Sequence, residues 1–514
     1  MTSFKSLAPE LLHRVCSLCA VIEIQCLRLV SKDIAIIADD YLLPVLELYY
    51  CLESVRFAQE LSQSRISRSV RLICFHADRL NGQTGHYTTD ATPGQQRRNL
   101  LSYSDWLSGR DPKIHVMSAW GMHSGIYPGS PLRIAYYGNN SRSSLERSCR
   151  QALTRGFARI RPAKQRSDQP EFRLADAYQH YVHLCTEQDK LDKDDAFQKM
   201  FEQLFVACPC LIDIIVTCGD CLVPTTTYRI QDFTRALAWP KSDPESLQSG
   251  VHALNSVLYA ASKTNTKIRM LGAGRLGCNF FLQNDDTLAF FTPAFASLTK
   301  LLLQLETPFE LGLRNEDERD LLVQPLRDSS NQHIPNVLHQ MINLQDMTII
   351  LPGRTEQGKI PLSGMLGNAE SAPHWPQLRR LRLEWCETDE EYLVSFLVRH
   401  ASTLEFLRLA DVEFRASEEW SNAFAKLSGV LTNLQELQLR GKLGNYSFPG
   451  TESGPYFRQD AALMREVQEF VLHGSVGGVV VPSTVPLPRE PDYSIPIGSV
   501  NDEAEEYLKW WLRS

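Results

Sequence analysis

The spacing L-x-x-L-x-L recurs along this chain, and it restricts the fold severely. It sets three apolar side chains on the inward face of a short strand and its approach, a face that one unit cannot bury alone and must hide by stacking on its neighbours. Clear instances are Leu43-Leu46-Leu48, Leu298-Leu301-Leu303, Leu378-Leu381-Leu383, Leu404-Leu407-Leu409 and Leu434-Leu437-Leu439. Weaker forms are Val70-Ile73-Phe75, Leu211-Ile214-Val216 and Leu344-Met347-Ile349. The late units stand about 26 to 34 residues apart, enough for a strand and a helix each. Between Leu383 and Leu404 the segment TDEEYLVSFLVRHAS has an acidic start and then Tyr392, Leu393, Phe396 and Leu397 at helical spacing. The expected fold class is therefore α/β: parallel strands at Leu298, Leu344, Leu378, Leu404 and Leu434 lying side by side in one curved sheet, with helices outside it. A generic α/β domain with parallel strands also fits, because consensus asparagines are missing and the spacing is irregular.

The 514 residues suffice for two to four domains. With 43% hydrophobic and 22% charged residues, the composition is that of an ordinary globular protein. A net charge of −7 argues against a surface built throughout for nucleic acid. Thirteen irregularly spaced cysteines fit a reducing compartment, so cytoplasm or nucleus is expected. The first apolar stretch, LLHRVCSLCAVIEIQCLRLV, is broken by His13, Arg14, Glu23 and Arg28, and reads neither as a signal peptide nor as a membrane span.

That stretch reads instead as short amphipathic helices. Leu11, Leu12, Val15 and Leu18 recur at helical spacing behind Pro9, then Ile24, Leu27 and Val30 form a second segment. Ser31 is placed to cap a third helix containing Ile34, Ile37 and Ala38. Three such helices in about 40 residues cannot bury all their apolar faces, and need a neighbouring domain or a partner. The segment LAPELLHRVCSLCAVIEIQCLRLVSKDIAIIADDYL resembles the F-box of fungal F-box proteins, in which Leu-Pro-x-Glu-Leu-Leu is followed by Leu-Arg-Leu-Val-Ser-Lys. The run WPQLRRLRLEWC with EEYLVSFLVRHASTLEFLRLADV resembles the late repeats of the same family. The resemblance implies a three-helix F-box at 1–45 that binds a Skp-type adaptor, and through it a cullin–RING ligase, with Leu7, Pro9, Leu11, Leu12, Leu27 and Val30 as adaptor contacts. It implies an irregular leucine-rich-repeat-like solenoid at 46–440 that binds a protein target, and a non-catalytic role.

Other stretches depart from the repeat. Residues 81–170, rich in Gly, Ser, Arg and Tyr, read as an insertion, and the basic run from Arg142 to Arg166 within it reads as a solvated face. Residues 441–514 read as linker and tail, with Trp510, Trp511 and Leu512 as a short docking helix or a frayed end.

Three motifs suggest other chemistry. Gly272, Gly274 and Gly277 match G-x-G-x-x-G, as in a dinucleotide-binding oxidoreductase, but the sequence after them has room for barely two helical turns. A glycine-rich loop between a strand and the next repeat is expected there. Cys208, Cys210, Cys218 and Cys221 could in principle hold zinc, yet LIDIIV between the pairs reads as an extended strand that keeps its ends apart. His180, His183 and Glu187 could share a helix face, but Tyr181, Leu184 and Cys185 make that segment a surface helix. No cofactor or metal is expected. Nucleic acid and membrane are not expected as partners, and a repeat scaffold without a ligase is the alternative function.

Overall fold

The computed structural model describes residues 7–80, 174–218, 244–306, 323–352, 359–368, 374–415, 420–440, 443–445 and 461–474, apart from 20, 78, 325 and 328–332. The expected insertion, its basic run, Cys221, the proline-rich linker and the terminal tryptophans lie outside these residues.

Alternating strands and helices follow one another. Helices α1 (Pro9–Leu18), α2 (Val21–Leu27) and α3 (Lys32–Asp39) come first, then β1 (Val45–Tyr49), α4 (Leu52–Ser62), a 3-10 turn at Arg65–Ser69 and β2 (Leu72–His76). Helices α5 (Leu174–Lys193) and α6 (Ala196–Ala207) lead to β3 (Asp213–Thr217), and α7 (Pro244–Thr264) to β4 (Met270–Gly277). After α8 (Asp285–Phe290) and α9 (Thr292–Phe295) come β5 (Lys300–Glu306), α10 (His333–His339), β6 (Asp346–Ile350), β7 (Ile360–Pro361) and α11 (Leu362–Leu366). The chain continues through β8 (Arg380–Glu384), β9 (Cys386–Thr388), α12 (Glu390–Arg399), β10 (Phe406–Ala410), β11 (Glu413–Phe414) and α13 (Trp420–Leu427). It ends with β12 (Glu436–Arg440), β13 (Gly444–Asn445) and α14 (Ala461–His473).

Nine strands form one parallel sheet in the order β1-β2-β3-β4-β5-β6-β8-β10-β12, so each is laid beside the one before it. The fold is thus mixed α/β, built on a large parallel sheet with helices. Register explains the leucines. Leu46, Ile73, Ile214, Leu271, Leu301, Met347, Leu381, Leu407 and Leu437 stand in one row across the sheet, and all are buried in the core shared with the helices. A row two residues on does the same, from Leu48 to Leu439. Each such leucine contributes about 2 kcal/mol by leaving water. A second parallel sheet, in the order β13-β11-β9-β7, follows the corners beyond β6, β8, β10 and β12.

Two corners between these sheets have left-handed backbone, Trp385 (φ 61°) and Asp411 (φ 51°). At both the backbone N–H is used, Trp385 donating to Ala410 O and Asp411 to Arg440 O. Just before β7, Lys359 is buried against Glu413, Nζ 3.1 Å from a carboxylate oxygen. It also donates to Asp411 O at 2.6 Å and lies 5.3 Å from the centre of the Trp385 ring.

One expectation needs correction. The glycines of LGAGRLG form no loop: Gly272, Gly274 and Gly277 lie within β4, with Gly272 paired between Ile215 and Leu302. Ile268, Leu271 and Ala273 are buried and supply the apolar positions, so this is a ninth unit whose third leucine is replaced by alanine. Val467 and Val471 of α14, one helical turn apart, are both buried in the core.

Candidate functional site

At the N-terminal end of the chain, Pro9 occupies the first turn of α1, where its missing N–H costs nothing. Ser31 Oγ accepts the N–H of Ile34 at 3.3 Å and caps α3. Cys16, Ile24 and Ala38 make a small core of their own, with Leu27, Ile37, Tyr41 and Leu42 packed against it. The apolar residues of α1 divide between two faces. Leu12 is buried, whereas Leu11 is 56% exposed and Leu18 74%. Ile22, Leu29, Val30 and Ile36 are also exposed, Leu29 at 87%. Six large apolar side chains are thus exposed on fewer than 40 residues of chain.

Of the positions carried over from the F-box resemblance, Pro9, Leu11 and Val30 are exposed, Leu7 and Leu27 are half-buried, and Leu12 is buried. Spacing alone could not separate Leu11 from Leu12, since which of the two is covered is set by the packing of α1 on the rest of the fold, α3 included. Leu18, Ile22, Leu29 and Ile36 join the exposed set. Their signal was present as apolar residues beside Glu23, Lys32 and Asp33 in short helices.

A second candidate is the sheet face opposite the leucine rows. Across β1 to β5 it is largely apolar and includes Leu72, Cys74, Ile215, Met270 and Leu302. Across β6 to β12 it is largely charged, and the charges extend to Lys300 at the start of β5. Lys300, Asp346 and Arg380 stand side by side in one row. In the next rows Glu384 receives both Arg382 (Nε 2.6 Å) and Arg408 (Nε 3.0 Å). Burial pushes the Asp346 carboxyl up to about 6, while Lys300 and Arg380 hold it down in part. Burial likewise lowers Lys300. Further along the same end, Asp213 takes Arg269 through both oxygens, at 3.0 and 2.6 Å. Of these contacts, that of Arg269 on Asp213 is two-pronged, whereas Arg382 and Arg408 each reach Glu384 through Nε.

The remaining motifs fall as follows. Cys208 and Cys218 are buried at opposite ends of β3, whose five residues are all buried. Tyr181, Leu184 and Cys185 of α5 face inward, and His183 Nε2 lies 3.3 Å from Glu187. His180, His183 and Glu187 line an open cavity of about 400 Å³ against Leu52, Glu53, Arg56, Phe57 and Glu60 of α4. Among the described residues no group of three or more His, Cys, Asp or Glu is placed to hold a metal ion. No described helix is long and apolar enough to cross a membrane. Compared with models of protein families and with curated proteins, the chain matches none.

Proposed function

We propose that the chain is a substrate-recognition adaptor of an SCF-type (cullin–RING) ubiquitin ligase. Its three N-terminal helices form an F-box that binds a Skp-type subunit, and its parallel strands and helices form a leucine-rich-repeat-like solenoid that binds a protein target. The observation that carries the reading is the exposed apolar set Leu11, Leu18, Ile22, Leu29, Val30 and Ile36, on helices and a turn whose sequence resembles an F-box. The charged sheet face from β6 to β12 supports a target-binding role. The protein contributes proximity: holding a target near an activated ubiquitin raises its effective concentration, and this needs no nucleophile of its own. Cytoplasm or nucleus is the compartment this role requires.

The test is binding to a purified Skp-type adaptor. Leu11→Asp or Ile22→Asp places a charge where an apolar side chain would be buried, and each is expected to weaken adaptor binding at least about tenfold. Both sites are exposed in the free chain, so the circular-dichroism spectrum should stay that of the parent. Leu12 is buried, so Leu12→Asp, by contrast, should destabilise the packing of α1. Parental adaptor affinity in the Leu11 and Ile22 variants would overturn the reading. A chain that captures a target but never an adaptor would be a repeat scaffold instead.

A further inference from the structure

Asp39, the last residue of α3, is buried, with its side chain 3% exposed, at the seam between the N-terminal helices and the sheet. One carboxylate oxygen lies 2.6 Å from Arg28 Nε, in the turn after α2. The other lies 2.7 Å from Arg65 Nε, in the 3-10 turn that leads from α4 to β2. One anion thus joins two cations from opposite sides of the seam, and the link is one of charge at close range rather than of aligned hydrogen bonds. A second line of contacts runs beside the first. The Arg71 guanidinium, next to β2, lies 5.8 Å from the centre of the Tyr41 ring, and Tyr41 OH is 3.1 Å from His13 Nδ1 on α1. The backbone between them is tied as well, Leu43 N–H donating to Ser69 Oγ at 3.1 Å.

We infer that Asp39 is a positioning residue: by holding Arg28 and Arg65 together it fixes the direction in which the exposed apolar set faces relative to the parallel sheet. Removing its charge leaves two guanidinium groups without their shared anion, so the seam loosens while each side keeps its own core. The consequence for ubiquitin transfer rests on the adaptor reading, because a target held at the wrong angle to the ligase reacts slowly however well both ends bind.

The experiment measures the seam directly. Spin labels carried by noncanonical amino acids, which spare the native cysteines, are placed at Ser17 on α1 and at Val206 on α6, both exposed. The distance between them is read by double electron–electron resonance. The parent should give one narrow distribution and Asp39→Asn a broad or displaced one. Arg65→Lys, which keeps the charge, should lie closer to the parent than Arg65→Gln. Adaptor affinity should hold in all three, while ubiquitin transfer to a bound target should fall about tenfold in Asp39→Asn. If Asp39→Asn does not fold, Arg65→Gln carries the test, since that side chain is 63% exposed and its loss leaves no cavity. An unchanged narrow distribution in a folded variant overturns the inference. Failure of the parent to bind any Skp-type adaptor overturns the proposed function and leaves the distance result to stand.

Discussion

His400 is buried with both ring nitrogens engaged, Nδ1–H donating to Phe396 O at 2.9 Å and Nε2 accepting the N–H of Trp375 at 3.3 Å. Only the neutral ring can do both. Burial pushes its pKa down to about 4, with His374 and Arg399 adding to the effect. The unfolded chain therefore binds a proton on this residue that the folded one does not, and stability is lost as pH falls from about 6.5 to about 4. Asp346 has the opposite sign, because its raised pKa of about 6 makes the folded state the better proton acceptor. Its burial penalty is present above pH 6 and is relieved as pH falls toward 4. Each shift is worth roughly 3 kcal/mol at most, so the two nearly cancel between pH 4 and 6. Urea titrations at pH 4.5 and 7 should separate them. Relative to the parent, Asp346→Asn should become less stable on acidification and His400→Gln more stable. Parallel behaviour of all three proteins would show that neither group controls the slope.

At the scale of elements, the second sheet depends on a few buried contacts. Lys359 and Glu413 are 3% and 5% exposed, and together they join the start of β7 to β11. Lys359→Met would strand the glutamate and should cost about 3–5 kcal/mol, whereas Lys359→Met with Glu413→Leu should recover most of it. Thermal unfolding of the single and double variants measures the difference, and an additive loss would contradict the pairing. Gly364 in α11 is constrained by space: a methyl group there would lie 1.8 Å from the carbonyl oxygen of Leu326, so Gly364→Ala should be destabilising by several kcal/mol. The sequence showed eight of the nine long strands, because each carries apolar side chains at the three positions that stacking demands. It hid β4, where Ala273 replaces the last leucine and glycines imitate a nucleotide loop. It hid the second sheet, since strands of two or three residues are too short to display a period. The candidate site was half legible. Composition exposed an apolar, helical N-terminus, but which of Leu11 and Leu12 faces water depends on how α1 packs on the rest of the fold. The Asp39 ion pairs join residues that no local pattern relates.

Across the whole molecule, each strand pairs only with the strands before and after it in its own sheet, yet the chain between partners varies widely. Strand β10 begins at Phe406, 26 residues after Arg380 starts β8, whereas β3 begins at Asp213, 141 residues after Leu72 starts β2. Both pairs are parallel over five residues. Closing the longer interval costs only about 1.5 kcal/mol more in chain entropy, because that cost grows with the logarithm of length. Material can therefore be added between two strands without shifting the register of any other pair. A lineage of such chains could gain or lose whole segments at these junctions while its row of strands, and whatever that row displays, is inherited intact.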